Sequence, residues 1–175
     1  MYIIIVAQVI RIIGSIFGIL GDRSNNPKIL YLFNSIYNLM AGIQYFLLHA
    51  ISGGITSVLT LVRNVLLYKY KKKLPIIVLI IYLIITICLN LTAYDGIISL
   101  IPIALVTIYT TGLYLDDIKK FKICTIMVCS LEIIYDYHYN AYVGIFFCVL
   151  DIILVIISFK QMNKKKKKKK KRLKK

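Results

Sequence analysis

The sequence holds no P-loop, no glycine-rich dinucleotide turn, no Ser-His-Asp set and no CxxC pair. Phosphate-cradling, dinucleotide-binding, acyl-transfer and thiol-redox readings therefore have no motif to rest on. The four cysteines, Cys88, Cys124, Cys129 and Cys148, lie inside apolar segments without metal-ligand spacing. They read as small hydrophobic residues, and neither a disulfide framework nor a zinc site follows from them. Acidic residues are scarce, 7 against 23 Lys and Arg, and no polar stretch is long enough for an extramembrane catalytic domain. Enzyme activity, a metal and a cofactor are accordingly not expected.

What fills the chain instead is apolar. Of 175 residues 59% are hydrophobic, and the mean hydropathy is +0.79, whereas a soluble domain averages about 45–50% apolar residues. Spans of about 20 residues, set by a hydrocarbon layer about 30 Å thick, would use up most of this length. The net charge of +16 first suggests nucleic acid, but the eleven Lys and Arg of residues 164–175 account for +11 of it and leave +5 elsewhere. The basic character belongs to a tail.

Hydrophobic runs and breaks predict an all-α bundle of seven transmembrane helices at about 2–20, 29–49, 53–69, 74–92, 97–115, 121–139 and 143–160. The breaks are polar, glycine-bearing or charged: residues 21–28 ending in Pro27-Lys28, Ser52-Gly53-Gly54, Ala93 to Gly96, and the runs around Lys71 and Lys119. The first segment carries Arg11 at its middle and lacks a small-residue cleavage site, so it reads as a span rather than a signal peptide. Lys and Arg alternate along the connections: Arg23 and Lys28, then Lys69, Lys71, Lys72 and Lys73, then Lys119, Lys120 and Lys122, then the tail, with connections free of Lys and Arg between. Positive connections stay cytoplasmic, which predicts an outside amino terminus and a cytoplasmic carboxyl terminus.

An odd helix count suggests three plus one plus three: a first three-helix repeat at 1–70, a linker helix at 71–95, a second repeat at 96–160 and a disordered polylysine tail at 161–175. Residues 18–29 align loosely with 112–123, and Tyr45 with Gly54 matches Tyr135 with Gly144. One intervening span makes both halves enter the membrane in the same direction, as parallel repeats. Chance likeness between Ile- and Leu-rich helices is the competing explanation.

Three stretches carry a resemblance: SGGITSVLTLVRNVLLY in span 3, with Gly53-Gly54 followed by Arg63-Asn64; AYDGIISLIPIA entering span 5; and EIIYDYHYNAYVG running into span 7. Together they resemble the YgjV family of bacterial inner membrane proteins over almost the whole chain except the lysine tail. The resemblance implies residence in a bacterial inner membrane and no established biochemical activity. The three-plus-one-plus-three plan is also similar to SWEET and PQ-loop transporters, although the chain has no Pro-Gln pair.

Ionisable residues at the centre of a span cost about 2.5–3.5 kcal/mol on insertion scales, so each needs a partner or a wet cavity. Arg11, Glu132 and Asp151 fall near the middle of spans 1, 6 and 7, and Arg63 in the cytoplasmic half of span 3. Helical spacing puts Gln8, Arg11 and Ser15 on one stripe, and Asn34, Asn38, Ala41 and Tyr45 on another. Thr125, Cys129, Glu132, Asp136 and Tyr139 form a third stripe, and span 7 adds Cys148, Asp151 and Ser158. An interior polar path is thus expected from Gln8, Arg11, Asn34, Asn38, Tyr45, Arg63, Asn64, Glu132, Asp136 and Asp151, with Pro102 as a hinge. The bland alternative pairs Arg11 and Arg63 with Glu132 and Asp151 as structural glue, or lets Arg63 snorkel to the surface. Gly14 and Gly18 read as a close-packing face. His49, His138, Tyr137, Tyr139 and Tyr142 read as interfacial residues.

Two functions follow from different classes. One is a small transporter or facilitator of a polar solute, working by rocking of two three-helix bundles, with Glu132 or Asp151 available for proton coupling. The other is a non-transporting structural or partner-binding membrane protein. A hydrolase using Glu132 and Asp136 is a third, weaker reading. Expected partners are the bilayer, anionic headgroups at the tail, an unidentified small solute and, left open, a second copy of the chain, with no specific nucleic acid.

Overall fold

A computed structural model describes residues 2–23, 26–70, 75–114 and 118–172. Among them there are seven α-helices and no strand: α1 (Tyr2–Arg23), α2 (Pro27–Leu47), α3 (Ile51–Tyr70), α4 (Ile76–Thr92), α5 (Ile101–Tyr114), α6 (Ile118–His138) and α7 (Tyr142–Arg172). The expected all-α bundle is therefore what the chain forms. Local chemistry sets the element starts. Asn26 Oδ1 accepts from the Lys28 amide at 3.0 Å, and Pro27 takes the first position of α2, where its missing N–H costs nothing. Lys71, Lys72 and Lys73 lie outside the described residues, as do 24–25 and 115–117.

By length and composition three helical stretches suffice to cross a membrane, Tyr2–Gly21, Ile51–Lys69 and Tyr142–Lys160, and two shorter apolar ones accompany them, Ile76–Thr92 and Ile97–Gly112. Helices α2 and α6 are just as long but carry Asn, Gln, Glu and Asp. Burial explains how they fit. The largest fully buried side chains include Arg11, Gln44, Asn90, Thr110 and Asp136, whereas Ile3, Ile12, Ile16, Ile77, Ile81, Ile84 and Ile153 face outward. A water-soluble protein sorts its residues the other way. Polar groups gathered inside and branched aliphatics outside are what a hydrocarbon solvent demands.

Packing follows chain order: α2 lies between α1 and α3, and α6 between α5 and α7. Helix α4 touches α3 and α5, and the halves meet where α1 reaches α7 and α3 reaches α5. Helices α1 and α2 approach closely because Gly14 and Gly18 lie against Met40 and Tyr37; a Cβ on Gly14 would stand 2.7 Å from Met40 Cβ. Helix α4 is less featureless than its sequence suggests. Asn90 is fully buried, exchanges hydrogen bonds with Thr56 of α3 at 3.1 and 3.2 Å, and donates to the Thr86 carbonyl.

The turns joining α2 to α3 and α6 to α7 share one structure. His49 and Asn140 both adopt positive φ, 58° and 57°. The next amide closes each turn: Ala50 N donates to Tyr45 O and Ala141 N to Asp136 O, both at 2.8 Å. Ala50 and Ala141 are both fully buried. Residue for residue, Tyr45 answers to Asp136 and Gly53 to Gly144. The letter match of Tyr45 with Tyr135 and Gly54 with Gly144 is thus out of step by one, because the left-handed residue that ends the helix sets the register, not the repeated tyrosine.

Pro102 is buried at the joint between a 3₁₀ turn, Ile97–Leu100, and α5. It occupies the first turn of α5, where proline is tolerated without breaking a helix. At the far end α7 continues through the lysine run to Arg172, where the sequence reading expects disorder from 161. Lysine is a good helix former, and the run simply extends a helix already nucleated in the apolar segment.

Candidate functional site

Helices α1, α2 and α6 send polar side chains to one place. Arg11 is 1% exposed. Its Nη2 donates to Glu132 Oε1 of α6 and to the Tyr37 hydroxyl of α2, each at 2.8 Å. The guanidinium also lies over Tyr37 and Tyr45, 4.7 and 5.6 Å from the ring centroids, where the negative face of an aromatic ring attracts a cation. Tyr45 donates to Asp136 Oδ1 at 2.8 Å and stands 3.5 Å from Glu132 Oε1. One arginine and one phenol therefore hold two carboxylates on successive turns of α6.

The charges do not balance. Arg11 neutralises one carboxylate, and among the described residues no second cation pairs with the other. Asp136 is fully buried, and its Oδ2 has no hydrogen-bond partner. That oxygen lies so tightly against Gly144 of α7 that a Cβ there would overlap it. Cys148, about one turn on, places Sγ within 4.8 Å of ligand atoms of both Glu132 and Asp136, and it lies beside Cys129. Two carboxylates and a thiol are groups a divalent ion can use. Here the Arg11 guanidinium already engages Glu132, so the arrangement reads as an ion-pair cluster rather than a metal centre. Spacing along the chain conceals this convergence because Cys148 arrives on a different helix.

A second layer of bonds lies toward the two matching turns. Gln8 Oε1 accepts from the Val143 amide at 3.0 Å and from Gln44 Nε2 at 3.3 Å, while Gln8 Nε2 donates to Asn140 O at 2.7 Å. The Tyr135 hydroxyl accepts from the Gly53 amide at 2.7 Å and shares a bond of 2.9 Å with Ser52 Oγ. Each first-turn amide of α3 and α7 so served would otherwise lack an acceptor. In both cases the cap comes from the opposite half of the chain: α6 caps α3, and α1 caps α7. The Tyr45 and Tyr135 rings meet edge to face between them, 5.5 Å apart.

Arg63 and Asn64 belong to a separate cluster nearer the other end of α3. Arg63 is 3% exposed and does not snorkel. Its guanidinium donates to Thr110 Oγ1 at 3.2 Å and Asn64 Oδ1 at 3.3 Å and lies over Tyr82 and Tyr109. Its described partners are thus neutral groups of α3, α4 and α5 and not Asp151, because α3 packs toward α4 and α5 while Asp151 sits half-buried on α7.

Of the sequence-predicted path, Gln8, Arg11, Tyr45, Glu132 and Asp136 come together. Asn34 and Asn38 do not join them: both are half-buried, and Asn38 Nδ2 bonds back to Asn34 O at 2.6 Å. The sequence reading missed Tyr37, Gln44, Tyr135 and Gly144. A signal exists for two of them, since Tyr37, Ala41 and Gln44 run at helical spacing into Tyr45 and define a stripe one residue off the asparagines. Tyr135 is hidden by its neighbours, an aromatic among aromatics.

The family model for Imp-YgjV, described as a bacterial inner membrane protein, matches residues 5–166. No curated protein and no solved structure matches the chain. The match spans the Arg11 cluster, the Arg63 cluster and both matching turns, and with polar groups buried inside an aliphatic exterior it leads to one conclusion: the chain belongs to the YgjV family of bacterial inner membrane proteins.

Proposed function

We propose that the protein is a small transporter or facilitator of a polar solute, non-enzymatic, in which α1–α3 and α5–α7 rock against each other in a plan similar to SWEET-type carriers. The observation carrying this reading is the Arg11, Tyr45, Glu132 and Asp136 cluster. It is buried, ionisable and shared between the two halves, and its Arg11–Glu132 and Tyr45–Asp136 bonds cross the seam that would have to open. Ionisable residues kept inside a membrane bundle at such a cost mark solute or ion pathways more often than plain packing. The Lys and Arg alternation supports an outside amino terminus and a cytoplasmic tail resting on anionic headgroups.

The test is uptake into proteoliposomes holding the purified chain, screened with sugars, amino acids, nucleosides and organic acids. A saturable flux that falls at least about tenfold in Arg11→Gln supports the reading, since removing one member of a buried pair costs well over the 1.4 kcal/mol a tenfold change represents. Folded protein that moves none of these solutes rejects it.

A specific observation favours a second reading. The cross-half caps on α3 and α7 and the neutral cradle of Arg63 tie the bundle shut, as a non-transporting, partner-binding membrane protein would require. In that case Glu132→Gln alters folding or complex formation with no effect on any flux.

A further inference from the structure

Two carboxylates and one arginine sit out of water, and the surplus negative charge falls on Asp136. Arg11 bonds to Glu132 and not to Asp136. Tyr45 has a single hydroxyl hydrogen, and the shorter of its two carboxylate contacts takes it to Asp136 Oδ1. Oδ2 is left fully enclosed with no donor. A full negative charge in that position costs far more than a neutral carboxylic acid does. Gly144 of α7 closes the enclosure, lying so near that any side chain there would collide with Oδ2. The charged and titratable groups around Asp136 are Arg11 of α1, Tyr37 and Tyr45 of α2, Glu132 and Tyr135 of α6, and Cys148 of α7 with Cys129 beside it.

We propose that Asp136 is a proton-binding site: it holds one proton on Oδ2 while α6 and α7 are packed together, and releases it to water when the seam opens and admits solvent beside Gly144. The balance is one carboxylate plus one proton giving one carboxylic acid, with no other reactant. Resting on the transporter reading, this makes the proton the coupling ion and links solute movement to the pH gradient across the membrane.

The site can be read without any solute. Infrared difference spectra of the full chain in liposomes, titrated in pH, are expected to show a protonated-carboxyl carbonyl band that disappears as pH rises. The band should be lost in Asp136→Asn; in Glu132→Gln, which removes the surplus negative charge and leaves Arg11 free to face Asp136, it should disappear at a lower pH than in the wild type. Asparagine mimics the neutral acid in size and charge, so that variant keeps the fold, which a single symmetric elution peak verifies. A band missing from the wild type, or surviving in Asp136→Asn, overturns the assignment. Uptake separates the two proposals. Flux that a pH gradient leaves unchanged, with Asp136→Asn behaving as wild type, rejects coupling while the transporter stands. A titrating Asp136 band in a protein that moves no solute upholds the proton site and rejects the transporter.

Discussion

At the scale of single residues, the tightest fit among the described glycines is Gly144 against the Asp136 carboxylate. Gly144→Ala is expected to destabilise by about 1–3 kcal/mol, as overpacking of a filled interior does, because the new methyl must push Asp136 off Tyr45. Gly42→Ala is the control, since its Cβ would meet Ser57 at an ordinary 3.4 Å. Thermal unfolding of both variants in detergent measures the difference, and equal midpoints would contradict the close approach. The Arg11–Glu132 pair invites a cycle at the same scale. Either Arg11→Met or Glu132→Gln alone leaves a buried polar group without its partner and should cost about 3–5 kcal/mol, while the double variant costs less than the two added together. Strict additivity would mean the two side chains do not interact.

Much at this scale was legible in the sequence. A lone arginine in the first span and a glutamate in the sixth, with the opposite charges of their own helices confined to the far ends at Asp22 and at Lys119, Lys120 and Lys122, had to look elsewhere. What was not legible was the choice of partner. Asp151 and Glu132 offer the same chemistry to two arginines, and only the packing of α3 against α4 and α5 decides that Arg63 settles on Thr110, Asn64 and two tyrosine faces.

At the scale of elements, the matching turns after α2 and α6 make a paired prediction. His49 and Asn140 are both held in the left-handed region, which asparagine tolerates better than most side chains and β-branched residues avoid. His49→Val and Asn140→Val should each cost about 1–3 kcal/mol, and the glycine variants should cost nothing or stabilise slightly. Unfolding midpoints check this, and a valine variant as stable as the parent would show that the turn is not needed. Helix positions could be read from hydrophobic runs and their polar breaks because lipid imposes a length on each span. The register between the halves could not, because it is set by a backbone angle and not by a letter. Helix α4 resisted for a similar reason: Asn90 looks like the frayed end of an apolar run until Thr56 on the facing helix gives it two bonds.

At the scale of the whole molecule, orientation is the prediction to settle. Cysteines introduced singly for Tyr94 and Tyr137, exposed at the turn end of the bundle, should react with a membrane-impermeant thiol reagent added outside intact cells, in a background lacking the four native cysteines. A cysteine for exposed Lys69 should react only after the membrane is opened. The reverse pattern would invert the topology and place the polylysine end outside. The native thiols bear on the moving-bundle reading: Cys129 and Cys148 are 6% and 4% exposed in this packing. Their modification should be slow at rest and faster under solute flux, whereas equal rates would argue that the seam stays closed.

Arg11 and Glu132 are 121 residues apart in the chain, and that separation is also an interval of time. At roughly 5–20 residues per second, synthesis of the intervening stretch takes on the order of ten seconds. Throughout it the Arg11 cation has the Tyr37 hydroxyl and the tyrosine faces of α2 within reach but no anion. The Val143 amide at the start of α7, by contrast, waits on nothing, since Gln8, which caps it, has been in place since the beginning. The last helices to be made thus complete the first.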